Sequence, residues 1–184
     1  MAINLQKGQR IAVSLERVGV GLGWEANQAS GPEYDLDASA FMLGGNDKLP
    51  QDEFFVFYNN GTSPDGAVAS SGDDQTGGGG GDNETLTVDL QKVDPRVTQI
   101  IIVASIHDAA ARRQNFGQVR NSYVRLYDLV GGGEMAKYEL EEDFSVETAV
   151  ELGRLYRRDG AWRFEAVGRG YRGGLEELVN KYQQ

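Results

Sequence analysis

"TAVELGRLYRRDGAWRFEAVGRGY", residues 148–171, is the stretch that decides the fold class. Asp159-Gly160 has the chemistry of a two-residue hairpin turn, where both central residues must tolerate positive φ. Leu155 and Tyr156 lead into it, and Trp162 and Phe164 leave it, so the stretch reads as two antiparallel strands. Beyond it, "GGLEELVNKYQQ" sets Leu175, Leu178, Val179 and Tyr182 at helical spacing, which predicts a short amphipathic C-terminal helix.

Working upstream, the same strand grammar recurs. "YDLDASAFML" (34–43) alternates Tyr34, Leu36, Ala38, Ala40 and Met42 against Asp35, Asp37, Ser39 and Phe41. "EFFVFY" (53–58) is aromatic and stops at Asn59-Asn60-Gly61, a turn signal. "AVAS", "ETLTVDL", "TQIIIVASI", "VRNSYVRLYDL" and "EMAKYEL" read as further strands, the third buried throughout. "INLQKGQRIAV" has two short apolar stretches about a Lys7-Gly8 turn, and "RVGVGL" follows. About ten short strands separated by turns predict a mostly β chain: a two-layer β-sandwich with a few short helices, one C-terminal. No linker divides it, so residues 1–184 read as one domain.

The chain has no cysteine, which removes disulfides, zinc–thiolate sites and thiol redox chemistry. No signal peptide and no membrane span is legible, so a cytoplasmic location is expected. The net charge of −10 is concentrated. Between Arg17 and Lys92 one basic residue, Lys48, faces thirteen acidic ones. Such a region repels nucleic acid, which therefore is not an expected partner.

Within it lies "SSGDDQTGGGGGDNETL" (70–86). Asp73 to Glu84 spans twelve residues, the length of an EF-hand loop, with Gly78 at the sharp sixth position. Gln75 and Gly77 fall where further ligands belong, and the flanks read as strands, so this is no EF-hand. The logic of oxygen donors on a glycine-rich backbone still applies, because Asp73, Asp74, Asp82 and Glu84 repel one another unless a cation lies among them. Asp35 and Asp37 project together from one strand face, and Asn59 and Asn60 can add amide oxygens. These eight residues form the candidate metal site. Magnesium takes the same oxygen ligands as calcium and stays open; zinc is disfavoured with a single histidine, His107, and no cysteine. "GVGLGW" (19–24) mimics a phosphate loop but lacks its lysine. "RRQNFGQVRNSYVR" (112–125) is locally basic and reads as a solvated edge, a source of ion pairs to the acidic region, or a partner-docking face.

"GVGLGW", "YDLDASAFML", "FVFYNN", "SGDDQTGGGGGDNE", "NFGQVRNSYVR" and "WRFEAVGRGYRGGL" together resemble the TerD family of bacterial tellurite-resistance and general stress proteins. The resemblance implies a calcium-binding β-sandwich with more than one ion. It carries Asp35, Asp37, Asp73, Asp82 and Glu84 onto the family's acidic motifs, with Asn59 and Asn60 adjoining. Two departures stand out: Glu25 where the family often has aspartate, and Asn83 where a second aspartate is common. The expectation is a non-catalytic calcium-binding stress protein that docks protein partners of a membrane-associated resistance complex when calcium is bound. The alternative is a Mg²⁺- or Ca²⁺-dependent hydrolase of a phosphate compound. Reduction of tellurite by the chain itself is excluded by the missing thiols and cofactor fingerprints.

Overall fold

The computed structural model describes residues 2–25, 31, 35–70, 82–140 and 144–184. Among these, twelve strands form two six-stranded sheets packed face to face. The first sheet holds β1 (Ile3–Asn4), β10 (Glu134–Glu139), β9 (Tyr123–Asp128), β3 (Arg17–Gly23), β7 (Glu84–Asp89) and β6 (Val68–Ser70), in that order. The second holds β2 (Arg10–Ala12), β12 (Ala161–Tyr171), β11 (Ala149–Arg158), β8 (Val97–Ile106), β4 (Leu36–Gly44) and β5 (Phe55–Val56). Two helices complete the fold, α1 (Ala109–Arg112) and α2 (Gly174–Tyr182). The two-layer sandwich and its C-terminal helix are as the sequence predicts.

The hairpin forms as read. β11 and β12 pair from Ala149↔Tyr171 to Arg158↔Ala161, with one bulge between Glu151 and Gly153. Asp159 and Gly160 sit at φ 54° and 77°, both left-handed, which matches the twist of the strands they join. The space around a Cβ at Gly160 is open, so its only constraint is backbone conformation. Gly160→Val is expected to cost about 1 kcal/mol, read as a lower urea midpoint with an unchanged slope.

β8 lies between β11 and β4 and is buried at nine of its ten residues. β4 is buried at all nine. Its Ala38–Ala40–Met42 side meets the first sheet, and α2 covers the other side, where the Phe41 ring lies 5.2 Å from that of Tyr182. α2 is anchored by its apolar stripe, with Leu178 fully buried, and by the Tyr182 hydroxyl, which donates to the buried Glu151 carboxylate at 2.7 Å. Tyr171 donates to the same oxygen at 2.5 Å. Burial first, and then the Glu151 carboxylate, push both phenols above their ordinary range. Their contribution to stability is therefore whole below pH ~10, the unfolded value, and is lost as pH rises towards the folded values. The expected result is that tyrosinate absorbance for these two rings appears only together with alkaline unfolding.

The Lys7-Gly8 turn forms, with the Gln9 amide donating to the Gln6 carbonyl at 2.9 Å; it separates β1, parallel to β10 in one sheet, from β2, paired with β12 in the other. One local reading changes. "EFFVFY" is mostly not strand, because a 3-10 turn over Asp52–Phe54 leaves only Phe55–Val56 paired with β4. "RVGVGL" is strand, as read, and lies in the first sheet between β9 and β7. Val18, Val20 and Leu22 point into the core, while Gly19, Gly21 and Gly23 form a bare track on the outer face.

Candidate functional site

Leu22 pairs with Glu84, Gly23 with Tyr123, and Leu36 with Ile106. The segments after β3, before β4, before β7 and before β9 thus all emerge at one end of the sandwich. A hydrogen bond joins the sheets there, from the Ala38 amide of β4 to Glu84 Oε2 of β7, at 2.9 Å.

This bond has a topological cause. β5 is so short that it covers only Ala40 and Phe41, so among the described residues the Asp37–Ala38 edge of β4 has no strand neighbour on that side. A buried amide there needs an acceptor, and the carboxylate of Glu84 supplies it. Asp37 and Glu84 consequently line one cavity of about 200 Å³, together with Phe57, Tyr58, Gly61 and Ser70. Both acids are buried, at 8% and 6% exposure. Asp35 is also buried, and its carbonyl accepts the His107 amide at 2.7 Å.

The other expected site residues are placed differently. Asn60 Nδ2 donates to the carbonyls of Glu53 and Phe55, at 2.9 and 2.8 Å, which closes the turn after β5. Asn59 is exposed, and neither asparagine lines the cavity; the neighbours Tyr58 and Gly61 do. Asp73 and Asp74, with the glycine run of 77–81, lie outside the described residues.

Asp82 turns to the opposite side of β7 from Glu84. Its carboxylate lies flat on the outer face over Gly21, where a Cβ would fall 2.3 Å from it. Arg125 Nε donates to both of its oxygens at 2.9 and 2.8 Å, a terminal guanidinium nitrogen stands 2.6 Å from Oδ2, and the Tyr123 hydroxyl donates at 2.8 Å. Gly21 and Arg125 are register partners, so the missing side chain on β3 makes the room that the ion pair fills. Burial first, and then its bond to Asp82, hold the Tyr123 phenol well above its ordinary range; the same carboxylate raises Arg125. Arg125 was not a sequence candidate. The alternating glycines of β3 were the signal available, because a sheet face without side chains must be filled from the neighbouring strand. The basic stretch does supply an ion pair to the acidic region, one of the readings made of it.

Asn83 and Glu25 have local work. Asn83 Oδ1 accepts the Trp24 amide at 2.9 Å, and the Asn83 amide donates to the Leu22 carbonyl at 2.8 Å. Glu25 accepts a hydrogen bond from Asn121 Nδ2. His107 Nε2 lies 3.3 Å from Asp108 Oδ2 on the surface.

Among the described residues no three carboxylate or imidazole groups converge on one ion position. Asp37 and Glu84 are two hard oxygen donors in one cavity, the kind of ligand that Ca²⁺ and Mg²⁺ take. No helix among the described residues is long and apolar enough to cross a membrane.

A family model described as the TerD domain matches residues 1–182. A tellurium resistance protein TerD of Serratia marcescens is 48% identical over 187 residues, which cover 99% of this chain and 97% of the relative. General stress protein 16U of Bacillus subtilis (strain 168) is 44% identical, over 99% of this chain and 97% of its own length. The crystal structure of a Streptomyces coelicolor A3(2) homologue of a telluride resistance protein superposes with a TM-score of 0.72 at 25% identity, covering 90% of this chain and 96% of that one.

Proposed function

From the premise that this chain belongs to the TerD family of tellurium-resistance and stress-response proteins, we propose that it is a non-catalytic, cytoplasmic calcium-binding protein that docks partners in a calcium-dependent way. The observation that carries this reading is the joint presence of the buried Asp37 and Glu84 carboxylates in one cavity at the seam of the two sheets. Two buried anions side by side are costly, and a divalent cation between them removes the cost.

The chemistry of the donor set suits that role. Asp37 and Glu84 would hold the ion at its buried side, and the acidic loop that follows β6 would contribute the remaining oxygens. Calcium needs about 6–8 oxygens, more than one strand pair provides. A cation bound there would change the charge at this end of the sandwich, which is the surface a partner would read. The partners in this reading are proteins of a stress-resistance complex at a membrane.

The phosphate-hydrolase reading loses support from the arginines. Arg125 is committed to Asp82 on the outer face, and Arg113 lines a groove beside α1 that shares only Tyr58 with the Asp37–Glu84 cavity; neither arginine lines that cavity. The test is calorimetric titration of Ca²⁺ into chelator-treated protein. Saturable binding below millimolar concentration supports the proposal; heat indistinguishable from dilution overturns it.

A further inference from the structure

A second polar cavity lies on the outer face of the second sheet, at the margin of α2, with a volume of about 370 Å³. Four cationic side chains line it, Arg10 of β2, Arg154 of β11, Arg169 of β12 and Lys181 of α2, against three carboxylates, Asp47, Glu151 and Glu165. That leaves one net positive charge in the cavity of a chain whose net charge is −10.

The carboxylates are largely engaged within the wall. Glu165 Oε1 accepts from Arg154 Nε at 2.7 Å, and its other oxygen lies 3.6 Å from Arg10. Glu151 Oε1 accepts from both Tyr171 and Tyr182, with Lys181 Nζ 3.7 Å away. Asp47 accepts from Gln99 Nε2 at 2.6 Å, and Gln99 Oε1 in turn accepts from Arg154 at 3.0 Å. These bonds fix the polar wall on three strands.

The cations are not used up to the same degree. Arg169 lies beside the Tyr171 hydroxyl and has no carboxylate within 4.0 Å among the described residues. Among the described residues Arg10 makes its 3.6 Å contact and lies 6.0 Å over the Tyr156 ring, and its side chain is 46% exposed. A guanidinium carries five N–H donors in a planar fork, so both arginines keep several donors for a ligand. Donors in excess of acceptors, with a rigid wall behind them, suit a compact anion with several oxygens.

We propose that this cavity binds a small doubly charged oxyanion of the phosphate class, held by Arg10, Arg154, Arg169 and Lys181. The ligand is either free phosphate or the head group of a phosphomonoester. The site is independent of the cation reading, because none of its lining residues belongs to the Asp37–Glu84 cavity.

The experiment follows the arginine Nε–Hε resonances of the whole chain by NMR during titration with inorganic phosphate. Ionic strength is held constant with chloride, and divalent ions are absent. The expected result is a saturable shift confined to Arg10, Arg154 and Arg169, half complete at about 1 mM. Arg169→Gln should weaken binding about tenfold, the loss of one charge-assisted hydrogen-bonding group. Arg10→Gln should do the same and stands in if the first variant misfolds. Arg163→Gln, on β12 but outside the cavity, should leave binding unchanged. A parallel titration with glycerol phosphate separates the sources: tighter binding identifies a phosphomonoester, equal or weaker binding identifies free phosphate. Shifts that grow linearly with concentration, that chloride reproduces, or that survive both cavity variants would overturn the proposal.

Discussion

Gly21→Val is expected to lower stability by about 3 kcal/mol and to break the Asp82–Arg125 pair. A Cβ at Gly21 would stand 2.3 Å from Asp82 Oδ2 and 2.5 Å from its Cγ, inside any contact distance that real side chains show. Asp82 cannot simply swing aside, because four hydrogen-bonding contacts from Arg125 and Tyr123 hold it where it is. Its side chain is 10% exposed, so displacing it leaves the Arg125 charge without its main counter-ion on the sheet face. At a denaturant slope of about 2 kcal/mol/M, the urea midpoint should fall by about 1.5 M. The Arg125 Nε–Hε resonance should move at the same time, which separates this mechanism from diffuse destabilisation. Gly45→Ala is the control: a Cβ there meets nothing within 4 Å, so its effect should stay within about 0.5 kcal/mol. A Gly21→Val protein as stable as the Gly45→Ala control would disprove the account of the glycine track.

The second large effect concerns the cation. If calcium binds between Asp37 and Glu84, the double variant Asp37→Asn, Glu84→Gln should lose about 100-fold or more in calcium affinity, since it removes both buried anionic ligands. Glutamine at 84 keeps an oxygen that can accept the Ala38 amide, so the bond between the sheets survives the change. In the absence of calcium the variant should be at least as stable as the parent, because two carboxylates no longer share one cavity. In calcium at 100 times Kd the parent should gain about 2.7 kcal/mol, or roughly 8 °C in Tm, and the variant almost nothing. Thermal unfolding of both proteins with and without calcium reads all four quantities. A double variant that keeps the calcium-dependent rise in Tm would show that the ion sits elsewhere.

Asp82 and Glu84 illustrate how far pattern reading reaches at this site. Residues two apart share a face only while both lie in a strand, and β7 begins at Glu84. Asp82 precedes it, and the chain there bends over Gly21, so the two acids part to opposite sides. Asp35 and Asp37 read as projecting together from one strand; both are buried, but β4 begins at Leu36 and only Asp37 lines the cavity. Asn59 and Asn60 were legible as a turn, and the turn uses the Asn60 amide for its own closure.

By itself the sequence determined the sandwich. Alternation of period two, the Asp159-Gly160 turn and the helical spacing of Leu175, Leu178 and Tyr182 are local consequences of covalent geometry, so they can be read from the chain one segment at a time. The concentration of acid before Lys92 was equally plain. The tertiary structure alone decided which strands share a sheet: β1 and β2 diverge because each edge position is chosen by a partner more than a hundred residues away. It alone set Arg125 against Asp82, across a glycine on a third strand, and joined Glu84 to the open edge of β4. Those contacts depend on register between distant segments, and register is fixed by burial of the whole core rather than by any one stretch.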